Sequence, residues 1–215
     1  MMFVANRMTK NPVTVTPDTG VDEAARLMKK NGFRRLPVVE DGTLVGFLND
    51  KDIMRVAPSP ATTLSRYEEL SLLSKLKIRE VMQSPVITVG EDATLEQAAL
   101  IMYENKIGGL PVVSSVGAVV GVITETDIFK AFVDIMDLHA GKTRFTIHTD
   151  NKVGVVHDIS GIFAEKGYNI DTVVTCAQKD GSYEIVILGD FKEVDALKQD
   201  IEAHGYEVMH ITTIQ

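Results

Sequence analysis

Short apolar runs and amphipathic stretches follow one another in an order that occurs twice, before a different order closes the chain. In the first pass, residues 13–16 read as a short β run followed by an acidic turn. Val21, Ala24, Ala25, Leu27 and Met28 then recur with a helical period. Residues 36–39 and 44–48 read as strands around a Glu40-Asp41-Gly42 turn, and a second helix opens at Asn49 with Ile53 turned inward. The second pass runs in parallel: a β run at 86–89, a helix carrying Leu95, Ala98, Ala99 and Met102, strands at 110–113 and 118–123, and a helix opening at Thr124 that turns Ile128 and Phe129 inward.

The repetition extends to single residues. Met8, Thr14, Leu36, Pro37, Gly46 and Asp52 return as Met82, Thr88, Leu110, Pro111, Gly121 and Asp127. The offset is 74 at Thr14/Thr88 and 75 at Asp52/Asp127, so one residue is gained in the second hairpin turn. After the repeats come a strand at 144–149, a helix at 153–166, strands at 169–177 and 183–189, a helix at 192–204 and a strand at 206–213. That is βαββαβ, the ferredoxin-like order, with Gly167 suited to a left-handed helix cap and Asp180-Gly181 to a hairpin turn. The expected class is therefore α/β and α+β. The expected units are residues 1–63, residues 64–138 with a linker helix at 64–76, and residues 142–215.

Composition changes little but excludes much. Hydrophobic residues make up 45% of the 215 and charged ones 24%, enough to bury a core throughout. Net charge is −8, and residues 143–215 carry 6 basic against 12 acidic residues, which speaks against a nucleic-acid surface. A single cysteine cannot form an internal disulfide; alternating with apolar neighbours, Cys176 is expected to be a buried thiol. The N-terminus lacks the basic start and apolar core of a secretion signal, and a reducing cytoplasm is the simplest location. Residues 107–124 are uncharged over nearly the length of a membrane helix, but five glycines and prolines interrupt them, and two buried strands fit better.

Candidate chemistry concentrates in the repeats. Thr124-Glu125-Thr126-Asp127 and its counterpart Asn49 with Asp52 fit a helix capping box, and the same carboxylates could accept hydrogen bonds from a vicinal diol. Arg34 and Arg35 offer paired, permanently charged donors suited to phosphate oxygens, or form a solvated corner. The five histidines lie at no paired metal spacing, and no nucleophile stands beside a base in a catalytic arrangement.

The repeat resembles the CBS domain, carried by Gly32-Phe33-Arg34-Arg35-Leu36-Pro37-Val38-Val39 with Gly46 to Asp52, and by Lys106-Ile107-Gly108-Gly109-Leu110-Pro111-Val112-Val113 with Gly121 to Asp127. The tail resembles the ACT domain through Lys152-Val153-Gly154-Val155-Val156 and Ile162 to Ile170. The CBS resemblance implies a regulatory pair that binds adenine nucleotides (AMP, ADP or ATP) in clefts between repeats, with Asp52 and Asp127 on the ribose hydroxyls and no catalytic cofactor. It also implies clefts that exchange partners, Asn49, Asp52, Arg34 and Arg35 meeting Thr94 and Ile107, while Thr124 and Asp127 meet Thr19 and Phe33. On that pairing, phosphate attraction and ribose recognition fall in different clefts. The ACT resemblance implies an amino-acid or small-metabolite site at Asp150, Asn151, Val153 and Gly154. The order CBS, CBS, ACT is similar to that of regulators of acetoin utilisation, and implies a homodimer, an unidentified regulated protein, and neither membrane nor nucleic acid as partner. The alternative is a structural oligomerisation module with empty clefts.

Overall fold

The computed structural model describes residues 2–57, 73–138 and 141–214, which divide into two compact units at Phe129/Lys130. In the first unit, a short helix α1 (Val4–Arg7) and strand β1 (Thr9–Lys10) precede helix α2 (Val21–Asn31), the hairpin β2 (Arg35–Glu40) and β3 (Thr43–Asn49), and helix α3 (Asp50–Val56). The second repeat follows as β4 (Val89–Gly90), α4 (Leu95–Asn105), the hairpin β5 (Gly109–Val113) and β6 (Val119–Thr124), and α5 (Glu125–Ile135).

The helices form where periodicity and end chemistry agree. Helix α2 has Asp22 and Glu23 in its first turn, Lys29 and Lys30 in its last, and Gly32 as a left-handed cap, each matching the helix dipole or the cap geometry. Val21, Ala24 and Met28 pack onto Leu36, Val38, Leu48 and Ile53 in one buried cluster. Thr94 and Gln97 close a capping box at the start of α4.

The two hairpins borrow their outer neighbours from each other's repeat. β1 pairs antiparallel with β6, Thr9 opposite Val122 and Lys10 opposite Gly121, whereas Gln83 bridges Phe47 of β3. The chain therefore runs past the second repeat before it enters the first at the parallel bridge Val15↔Val38. This exchange corrects the expected β runs at 13–16 and 86–89: only Val15 pairs in the first, and the second shortens to Val89–Gly90. Repeat-related contacts explain the repeated residues, since Met8 lies on Gly121 and Met82 on Gly46.

The second unit carries β7 (Thr143–Thr149), α6 (Val155–Glu165), β8 (Thr172–Ala177), β9 (Tyr183–Gly189), α7 (Val194–Ala203) and β10 (Glu207–Thr213). Its antiparallel sheet has the order β10-β7-β9-β8, the ferredoxin-like arrangement. Phe145, Ile147, Ile185 and Ile187 of the sheet bury against Ile159, Ile162 and Phe163 of α6 and Leu197 and Ile201 of α7. Phe145, Phe163 and Phe191 meet edge-on or tilted at centroid distances of 4.9 to 5.9 Å.

Two expectations are overturned. Phe129 is 70% exposed, because the inward face of α5 is set by neighbours that cover Ala131 instead. Cys176 is exposed, because β8 is an edge strand whose alternation leaves both faces largely open. The linker helix expected at 64–76 lies mostly outside the described residues, although Leu73 and Leu76 pack onto the first repeat's core. The uncharged stretch 107–124 forms β5 and β6, and no described helix is long and apolar enough to cross a membrane.

Candidate functional site

The exchange of outer strands creates a cavity of about 390 Å³ lined from both repeats. Thr9, Asn11, Pro12 and Val13 form one wall as the chain passes β6, Gly32 to Arg35 enter from the α2–β2 corner, and Val122, Thr124 and Thr126 close it from the second repeat. Pro12, Val13 and Phe33 supply an apolar wall. Thr124 and Thr126 supply polar groups at the end of β6, and Asp127, which does not itself line the cavity, accepts through Oδ2 from the Thr124 backbone N–H at 2.8 Å and from its hydroxyl at 2.7 Å. Both bonds go to one oxygen of a half-buried carboxylate, so Asp127 serves as a cap and retains acceptor capacity on Oδ1.

Asp52 occupies the equivalent place in the first repeat and is committed differently. It is only 2% exposed; its Oδ2 accepts from Asn49 N at 3.0 Å and Gln83 Nε2 at 3.4 Å, and its Oδ1 accepts from Arg55 Nη2 at 3.4 Å. Asn49 Oδ1 in turn accepts from Asp52 N at 2.9 Å, completing a reciprocal cap. The physical difference lies in the outer segment: Gln83 bonds to Asp52, while its counterpart Thr9 is short and lines an open cavity together with Thr124.

The structure redraws the expected pairing of the arginines. Arg34 and Arg35 line the cavity that holds Thr124, and that cavity is not lined by Thr94 or Ile107. The two arginines and Thr124 therefore line one cavity. Phe33 meets Thr124 there as the exchange implied. Thr19 does not, its hydroxyl being 3.0 Å from that of Thr16, and the Thr94 hydroxyl accepts from Gln97 N at 3.3 Å as the α4 cap. Arg35 reaches across the repeats: a Cβ at Gly108 would stand 2.5 Å from its Nη2, and one at Gly109 would stand 2.8 Å from its Nε. Burial, and after it the Arg34 charge, lowers the Arg35 guanidinium from its ordinary value, while Glu125, Asp50 and Asp127 oppose the shift. Asn11, Pro12 and Val13, which also line the cavity, were missed by sequence reasoning.

In the second unit, Asp150, Asn151 and Gly154 line a separate cavity of about 250 Å³ with Thr149, Thr175 and Tyr183. Gly154 stands at φ 97° as the N-cap of α6 without a side-chain cap, and the first residues of that helix, Val155 and Val156, line the same cavity. Asp150 and Lys152 pair at 2.6 Å, holding the carboxyl below its ordinary value and the ammonium above it. Val153 does not line this cavity; it is fully exposed on the other side of the loop.

Comparison with known proteins agrees with this architecture. The CBS domain family model matches residues 4–59 and 78–134, and the ACT domain model matches residues 143–206. The chain belongs to the CBS domain family, as a tandem CBS pair followed by a C-terminal ACT domain. It is similar to the uncharacterized protein MJ1225 of Methanocaldococcus jannaschii, 36% identical over 58% of this chain, and spans 45% of that protein's length. Among solved structures it is similar to CBSX2 of Arabidopsis thaliana in complex with AMP, with 31% identity, a TM-score of 0.52, and coverage of 63% of this chain and 99% of that one. It is also similar to a Vibrio cholerae protein assigned to acetoin utilization, AcuB, with 29% identity, a TM-score of 0.52, and coverage of 64% of this chain and 95% of that one.

Proposed function

We propose that this protein is a non-catalytic regulator that binds an adenine nucleotide in the cleft lined by Phe33, Arg34, Arg35 and Thr124, with Asp127 beside it, and alters a partner protein in response. The observation that carries the reading is the convergence in one cavity of an apolar wall for a base, the Thr124 hydroxyl, whose bonded neighbour Asp127 keeps a spare acceptor for a ribose diol, and two guanidinium groups for phosphate. The likeness to CBSX2, solved with AMP, supports it. Regulation requires that the ligand bind two states of the protein unequally. The open cavity at Gly154 supports an amino acid or similar small metabolite as a second effector, and the likeness to AcuB supports a link to acetoin utilisation.

A thermal-shift panel of adenosine, AMP, ADP, ATP, S-adenosylmethionine, NAD and amino acids tests this reading. At 100 times its dissociation constant, a ligand that binds only the folded state stabilises it by about 2.7 kcal/mol, which moves the melting point by several degrees. No shift with any adenosine compound would favour the oligomerisation module with empty clefts.

We also propose that the protein is a homodimer. β8 and β10 form the edges of the second unit's sheet, and exposed Val173 and Met209 lie on them. Light scattering at tens of micromolar should give twice the chain mass of 23.6 kDa, and a monomer at that concentration would refute the assembly.

A further inference from the structure

Arg35 does not lie free in the cleft. Its Nη2 and the Glu125 carboxylate converge over one point, since a Cβ added at Gly108 would stand 2.5 Å from Arg35 Nη2 and 2.8 Å from Glu125 Oε2. At Gly109 the same substitution would meet Arg35 Nε at 2.8 Å and Cδ at 2.9 Å. Two successive glycines thus form a slot that receives the arginine stem and brings its head beside an acidic side chain. Glu125 is itself exposed at the first position of α5, and its own backbone N–H donates to Gly108 O at 3.1 Å, which fixes the carboxylate above the slot.

We propose that Glu125 sets how strongly the cleft prefers phosphorylated over unphosphorylated nucleosides, by placing a negative charge beside Arg35 at Gly108 and opposing a second anion there. Arg35 and Arg34 are the cations that line the cavity. A phosphate that reaches Arg35 comes close to the Glu125 carboxylate as well, and like charges a few ångströms apart in a partly buried site repel appreciably. A neutral nucleoside meets neither obstacle. The first repeat presents Asp50 at the equivalent position, but Arg34-Arg35 stand there where the second repeat has the glycine slot, so the arrangement belongs to one cleft only.

The inference rests on the nucleotide reading above, and calorimetry with adenosine and AMP on the full chain separates the two. Wild type should bind both. In Glu125→Gln the AMP affinity should rise on the order of 10-fold with adenosine changed less than 2-fold, and the gain should shrink as salt is raised. Adding Arg35→Ala to Glu125→Gln should abolish the gain. The substitution keeps the backbone bond to Gly108, and an unchanged melting curve without ligand checks that the fold is intact. An AMP to adenosine affinity ratio that stays the same, or a gain shared equally by adenosine, would overturn the role of Glu125 while leaving the nucleotide reading standing. A gain that survives Arg35→Ala would overturn the part assigned to Arg35. Absence of binding by both ligands to wild type would overturn the nucleotide reading and this inference together.

Discussion

Asp127→Ala should weaken adenine-nucleotide binding roughly 10- to 100-fold, while Asp52→Ala should leave that affinity nearly unchanged and cost more stability. A hydrogen bond to a charged group contributes about 1.5 to 3 kcal/mol, and each 1.4 kcal/mol is about tenfold in affinity. Asp127 spends one oxygen on Thr124, which lines the open cavity, and keeps Oδ1 to accept from a ligand seated there, so its loss falls on the ligand, with a helix-cap cost of about 0.5 to 2 kcal/mol besides. Asp52 is 2% exposed and gathers the Asn49 backbone N–H, Gln83 and Arg55, so its removal breaks the reciprocal cap of α3 and leaves a gap in a buried position instead. Calorimetry of both variants, with melting curves alongside, decides the matter. If Asp127→Ala binds AMP as wild type does and remains folded, the carboxylate is a helix cap and nothing more.

Phe163→Ala should destabilise the second unit by about 3 to 5 kcal/mol, the range for removing a buried aromatic side chain. Phe163 is fully buried, with its ring 5.9 Å from Phe145 and 4.9 Å from Phe191, and no small residue can fill the space that all three define. Since whole domains are stable by about 5 to 15 kcal/mol, such a loss is a large part of the total. Chemical denaturation followed by tyrosine fluorescence or circular dichroism measures it. A change below about 1 kcal/mol would mean that the aromatic cluster does not hold the sheet and helices together.

Much of the candidate site was legible because the repeat marks it twice. Thr124 and Asp127 stood out as a capping pair after an apolar strand, and Arg34 and Arg35 as adjacent charges before Leu36-Pro37. Their assignment to separate clefts was wrong for a reason that periodicity does not carry. Which outer segment joins which hairpin depends on β1 pairing with β6 and Gln83 with Phe47, contacts between residues far apart in sequence. The errors at Phe129 and Cys176 have a similar origin. Ile128, Phe129, Ala131 and Phe132 share one apolar face of α5, of which Ala131 is buried while Phe129 and Phe132 are exposed, so pattern alone does not say how much of that face is covered, and an edge strand exposes positions that the same alternation buries at the centre of a sheet.

By itself, the sequence determined the tandem repeat, the helices and hairpins within each copy, the ferredoxin-like order of the tail and the residue types able to meet a nucleotide. These follow from short-range causes: a 3.6-residue or 2-residue apolar period, a cap at a helix end, a glycine where the backbone turns left-handed. The tertiary structure decided that the arginines and Thr124 share one cavity, that Gln83 bonds to Asp52, and that Gly108-Gly109 receive Arg35 beside Glu125. Two nearly identical hairpins offer nearly identical edges. Only the closing of the chain on itself, with every buried donor and apolar face satisfied at once, selects which segment lies against each edge and so which side chains come within reach of one ligand.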